Sequence, residues 1–189
     1  NEKAQLQSSL DSAVSDAVGF LASSGNFGTN TIDKEGVVST FFLSLYSAMG
    51  ITEDEAIRSE VEVYIPVILL CDVDGYYIYY YDEFQDESGR LCLERRWSEK
   101  MPYFYEDQYF RYRLTLKDHI IINDIHNLLG EEPSIEEIDC HEFRSSESYR
   151  DFRKQNKDCF LLNDETYEHT KKGAIINQLE NVLSYYTSR

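Results

Sequence analysis

Apolar residues recur along residues 4 to 21 at Leu6, Leu10, Ala13, Val14, Ala17, Val18 and Leu21. That spacing lays them on one face of a helix. The turn formers of "SSGNFGTN" (23 to 30) break it. A second helix follows Asp33, with Val38, Phe41, Phe42, Leu45 and Met49 on one side, and Gly50 stops it. "TEDE" (52 to 55) has capping-box spacing and predicts a short third helix. The period then changes to two. Val61, Val63, Ile65, Val67, Leu69 and Cys71 alternate with other residues, which predicts a strand over 61 to 71. Pro66 cannot donate to a ladder, so that strand is at an edge or bulged. "DVDG" and "DESG" are turns that set off strands at 76 to 84 and 90 to 98. "YFRYRLTL" (109 to 116) alternates again, with Phe110, Tyr112, Leu114 and Leu116 inward. Short turns between successive strands mean an antiparallel meander.

Helical period returns after it. "TLKD" (115 to 118) predicts the cap of a helix carrying Ile121, Ile125, Leu128 and Leu129 and ended by Gly130. "PSIEE" (133 to 137) reads as Pro followed by a capping box. The last helix carries Ile175, Leu179, Val182, Leu183 and Tyr186 as one stripe. The pattern predicts an α+β fold: an antiparallel β-meander of three to five strands packed against amphipathic N-terminal and C-terminal helices. With 189 residues, no internal repeat and no linker, one soluble domain over 1 to 189 is expected.

Charge narrows the partners. The formal net charge is -17, which argues against nucleic acid, since phosphate binding needs a basic surface. No window can span a bilayer. The four cysteines, Cys71, Cys92, Cys140 and Cys159, form no CxxC motif. In an extracellular setting Cys140 and Cys159 are the expected disulfide pair, both lying in the helical C-terminal region.

Candidate chemistry is sparse. Asp72, Asp74 and Glu83 fall at positions one, three and twelve of a calcium loop, but Gly75 stands at four where Gly is needed at six, and Tyr76 and Ile78 take ligand positions. The turn therefore reads as a hairpin, and neither a metal nor a cofactor is expected. "CHE" (140 to 142) joins a thiol, an imidazole and a carboxylate, yet helix neighbours do not face one another, so it reads as a half-exposed helical patch. No P-loop, GxGxxG, GxSxG or HExxH occurs, and the chain is not expected to be an enzyme. "YYIYYY" (76 to 81) puts Tyr77, Tyr79 and Tyr81 on one face of a strand. Aromatics pack well across a pleated face, and the functional alternative is an exposed platform for a partner. Trp97, Tyr103 and Tyr105 extend that candidate surface.

"YIPVILLCDVDGYYIYYYDEF", "RRWSEKMPYFYED" and "RLTLKDHI" occur in this order. Together with the closing "IINQLENVLSYYTSR", they resemble a family of uncharacterised Firmicutes proteins. Over roughly 60 to 120 and 165 to 189 the order is the same: a YIPV-type strand, a DG turn, an aromatic strand, a W-S-x-K-x-P-Y segment, a TL-D-type helix start and a closing amphipathic helix. The resemblance implies a membrane-anchored, pilin-like protein associated with Tad-type or type II secretion, with an N-terminal membrane helix. It gives no catalytic residues to carry over. The expectation is a non-catalytic domain on the cell surface or the outer side of the membrane. It would work through protein contacts in a pilus or secretion assembly and reach the membrane only through a segment preceding Asn1. The alternative is a PAS- or Cache-like small-ligand sensor, for which a pocket lined by Tyr and Arg would speak, or a cytoplasmic binding module.

Overall fold

A computed structural model describes residues 2–24, 32–51, 53–124 and 135–188. It shows the expected α+β class, and the chain falls into two compact units, Asn1–Ile68 and Leu69–Arg189.

The first unit is helical. α1 (Glu2–Ser23) packs on α2 (Lys34–Met49), followed by α3 (Glu55–Val63). The Asp33 carboxylate accepts from Gly36 N–H (2.9 Å), and Gly50 closes α2 in the left-handed conformation at φ 72°. Its N–H donates to Ser47 C=O and that of Ile51 to Tyr46 C=O, which satisfies the last carbonyls of the helix. The inner line of α1 is Ser9, Ala13, Ala17 and Leu21, all buried. Leu6, Val14 and Val18, expected in the same stripe, are exposed. The apolar spacing of α1 is wider than the buried line.

The predicted strand at 61 to 71 is corrected. Val61 to Val63 complete α3, and the strand β1 spans Val67–Asp72. Asp54 caps α3 by accepting from Ala56 and Ile57 N–H (3.0 and 3.3 Å). Pro66 disfavours helix at Ile65 and so marks its end. Local capping wins over an alternation four residues long.

In the second unit the expected run of strands divides into two sheets. β1, β2 (Gly75–Gln85) and β3 (Leu91–Trp97) form one, in that order. β4 (Tyr103–Glu106), β5 (Phe110–Leu114), β6 (His119–Asp124) and β7 (Ile135–Asp139) form a four-stranded antiparallel meander. α4 (Cys140–Ser145), α5 (Arg150–Gln155) and α6 (Asp164–Thr187) follow. The helix predicted to start at "TLKD" is instead a turn into β6, where Ile120 and Ile122 are buried and Ile121 pairs with Arg113. A β-branched run suits a pleated surface better than a helix. Residues 125 to 134 lie outside the described residues. Residues 135 to 139, predicted as a capped helix, pair with β6. Phe110, Tyr112 and Leu114 point inward as expected, whereas Leu116 lies past the end of β5 and is exposed.

Tyr103, Phe110, Tyr112, Ile120, Ile122, Phe143 and Leu161 make the core of this unit. Each buried side chain of this size contributes about 1.5–3 kcal/mol. Tyr112 lies against Tyr105 (5.7 Å between centroids), Phe110 (5.7 Å) and Phe160 (4.8 Å). Among the described residues, no helix is long and apolar enough to cross a membrane.

Candidate functional site

The segments that carry the resemblance meet in space. Asp72, fully buried, sits at the start of the "DVDG" turn with its carboxylate 2.6 Å from Lys100 Nζ, and Asp74 takes the same ammonium from the other side. Partial burial works against the charge on Lys100, but the two carboxylates outweigh it and hold its pKa above the ordinary lysine value. The Tyr103 hydroxyl donates to Asp72 C=O (3.0 Å). Tyr76 and Met101 exchange both backbone bonds at 2.8 Å, and Ser98 pairs with Ile78. Gly75 is required here because a Cβ would lie 2.4 Å from Met101 C=O. The acidic turn is thus a hairpin locked by the W-S-x-K-x-P-Y segment, with a lysine ammonium where a metal ion would otherwise be sought.

The six aromatic residues singled out from sequence do not form one surface. Tyr77, Tyr79 and Trp97 come together, at 6.4 and 4.8 Å between centroids, and Arg95 lies over Tyr79 and Tyr81 at 5.4 and 4.2 Å. All five side chains are half-buried. Tyr103 is fully buried and stacks on Tyr76 (5.6 Å). Burial, first, and then the neighbouring Cys71 thiol and Asp72 and Asp74 carboxylates push its hydroxyl far above the ordinary tyrosine range. Tyr105 belongs to the other sheet.

Tyr105 does border an opening that the sequence reading did not single out as a site. In an antiparallel ladder the backbone groups of successive residues turn to alternate sides. Asp107 N–H donates to Phe110 C=O (3.1 Å), so Tyr105 and Tyr103 turn toward β5, and Phe104 and Glu106 turn away from it. β4 ends its sheet. At the near end, the Gln178 side chain of α6 covers this edge. Phe104 N–H donates to its Oε1 (2.9 Å), and its Nε2 donates to Pro102 C=O (3.1 Å) and to the Tyr76 hydroxyl (3.2 Å). At the far end, Phe104 C=O and Glu106 N–H face an open groove of about 600 Å³ between β4 and α6. The helix wall is His169, Thr170, Gly173, Ala174, Asn177, Gln178 and Asn181. Apart from His169 at one end, they are spaced as one helical face of small and amide side chains. That spacing was the available signal in the sequence, together with a glycine inside a helix.

A second opening, a polar cleft of about 340 Å³, is lined by Cys140 and His141 of "CHE" and leaves Glu142 outside. Cys140 is buried, and burial above all pushes its thiol up, while His141 and Glu142 are exposed on α4. The thiol is protonated at neutral pH and makes a poor nucleophile. In the cleft Arg144 pairs with Asp164, and the buried Lys171 pairs with the cleft's Glu168 at 3.1 Å, both cations lying over the Tyr167 ring. All four cysteines are free thiols, so Cys140 and Cys159 are not bridged. Cys140 lies beside Tyr167 and Cys159 beside Tyr112. Among the described residues, no group of three or more His, Cys, Asp or Glu side chains is placed to hold a metal ion.

Comparison of the chain with family models, with curated proteins and with solved structures gave no match.

Proposed function

We propose that the chain is a contact domain that receives part of a protein partner in the groove between β4 and α6. It acts without catalysis, in a surface assembly of the pilus or secretion kind that the sequence resemblance implies. One observation carries the reading: the outer edge of β4 turns the Phe104 C=O and Glu106 N–H into an open groove. An exposed strand edge with unpaired backbone groups is a template for pairing. The test is photo-crosslinking in the cells that make the protein, with the reactive group at Asn177 or Asn181 on the groove wall, or at exposed Lys172 as control. Adducts with a discrete protein from the groove positions and not from Lys172 are expected. Equal labelling at all three positions, or none, would end the reading.

The cleft beside Tyr167 and Arg144 supports a second reading, the small-ligand sensor. It ranks lower because the Arg144 guanidinium that lines it is already matched by Asp164.

A further inference from the structure

We infer that the groove takes an extended peptide segment, which adds to β4 as a parallel strand. This rests on the contact-domain reading and names the chemistry of the partner. The direction follows from Gln178. Its amide donates to Pro102 C=O and accepts from Phe104 N–H. In a parallel ladder a single residue does the same, giving its N–H to the carbonyl of residue i and taking the N–H of residue i+2. Gln178 therefore stands in for one residue of a parallel neighbour. The next pair along the edge in that pattern is Phe104 C=O and Glu106 N–H, the pair that faces the groove. One more residue in extended conformation, two positions on, donates to the first and accepts from the second.

A helical partner does not fit this pair. A helix uses its backbone groups internally except at its ends, whereas an extended segment presents a donor and an acceptor at each alternate residue. The opposite wall leaves space for a main chain. Gly173 carries no side chain and nothing lies within 4 Å of where its Cβ would be, and Ala174 adds one methyl group. Asn177 and Asn181 add amide donors and acceptors beside the incoming chain. The net charge of -17 selects for Lys or Arg flanking the paired residues, and attraction of that kind weakens as salt rises.

The probe is a phage-displayed library of random decapeptides, panned on the purified chain at low salt. Enriched peptides are expected to shift the Glu106 amide resonance and slow its exchange. N-methylation of the residue that pairs with Phe104 and Glu106 should weaken binding at least tenfold, and methylation of its immediate neighbours should change it less than twofold. A spin label on the peptide's N-terminus should broaden Phe104 more than Asp107. Gly173→Leu should weaken binding at least tenfold without lowering Tm, and the N-methyl series keeps the proposal testable if that variant fails to fold. No enriched peptide, binding within twofold for every N-methylated version, or stronger broadening at Asp107 would overturn parallel strand addition. Crosslinks at Asn177 and Asn181 alongside any of those results would leave the contact reading standing without it.

Discussion

The turn at Asp72 to Gly75 and the strand edge at Phe104 to Glu106 both adjoin the segment from Lys100 to Tyr103, and they differ in how their polar groups are met. At the turn, the buried Asp72 carboxylate has Lys100, its carbonyl has the Tyr103 hydroxyl, and Tyr76 and Met101 satisfy each other. At the edge, Gln178 meets the first pair of backbone groups, and the next pair faces open space beside Gly173 and Ala174. Asp72, Asp74, Tyr76 and Tyr103 bind the hairpin to its own chain. The opening lies where α6, His169 apart, carries small and amide side chains. Closing a hairpin onto itself takes large and charged side chains, whereas room for another backbone requires that they be missing.

The largest test breaks the closed side. Gly75→Ala puts a methyl group 2.4 Å from the Met101 carbonyl oxygen, and the obstructing atom is backbone. Overpacking of this kind is expected to cost about 3 kcal/mol. A denaturation midpoint unchanged from the parent would show that the bridge between Tyr76 and Met101 is not a fixed part of the turn.

Raising pH tests the same interior without mutation. Burial chiefly pushes the Cys159 thiol up to about 11, against 9.0 for an ordinary cysteine. Below pH 9 both folded and unfolded chains hold this proton. Between pH 9 and 11 the unfolded chain releases it first, so stability is lost as pH rises. At roughly 1.4 kcal/mol per unit, this thiol alone removes up to about 2.5 kcal/mol. Tyr112 and Tyr167, also raised chiefly by burial, add to the loss above pH 10. A Tm that stays level from pH 8 to 11 would contradict this. Cys159→Ala should flatten the early part of the fall.

Lys100→Met takes the cation from buried Asp72. Loss of one partner of a fully buried pair costs about 3–5 kcal/mol. The lysine side chain is 26% exposed, so screening brings the expected cost to about 2 kcal/mol. Gln178→Ala comes next, at about 1.5 kcal/mol, since three hydrogen bonds are lost but water can reach the edge in their place. If Gln178→Ala proves costlier than Lys100→Met in urea titrations, the contrast between a closed turn and a loosely covered edge is wrong.

Much of the fold was legible from local pattern. Asp33 and Gly50 bound α2 as read, and the strands at 76 to 84 and 90 to 98 match β2 and β3 within a residue. The reading failed where two periods overlap. Glu-Val-Glu-Val at 60 to 63 alternates like a strand but lies within one turn of a capped helix. At 119 to 124, an apolar run fits either period, and its β-branched residues together with pairing to β5 and β7 select the strand. The site was less legible than the fold. Tyr105 was chosen for its ring, yet what matters beside it is the Phe104 and Glu106 backbone, which looks alike in every sequence. Gln178 acquires its role only when α6 lies along β4, at a separation of 74 residues from Phe104.

The smallest expected effect tests the open side and has the opposite sign. A glycine inside a helix is less favourable than alanine by about 0.8–1 kcal/mol. Gly173 lies well inside α6, with no positive φ to require it, and its Cβ would meet nothing within 4 Å. On folding grounds alone, then, Gly173→Ala should stabilise the protein by about 0.8 kcal/mol, read as a rise in Tm of a few degrees or less. If the residue is there to leave space for another backbone, the gain in stability should come with weaker binding of the selected peptides. Gly173→Leu should lengthen that trend by filling the groove further. A fall in Tm for Gly173→Ala would mean that the helix needs glycine for its own packing, and the groove would then be a by-product of that packing and not a place kept open for a partner.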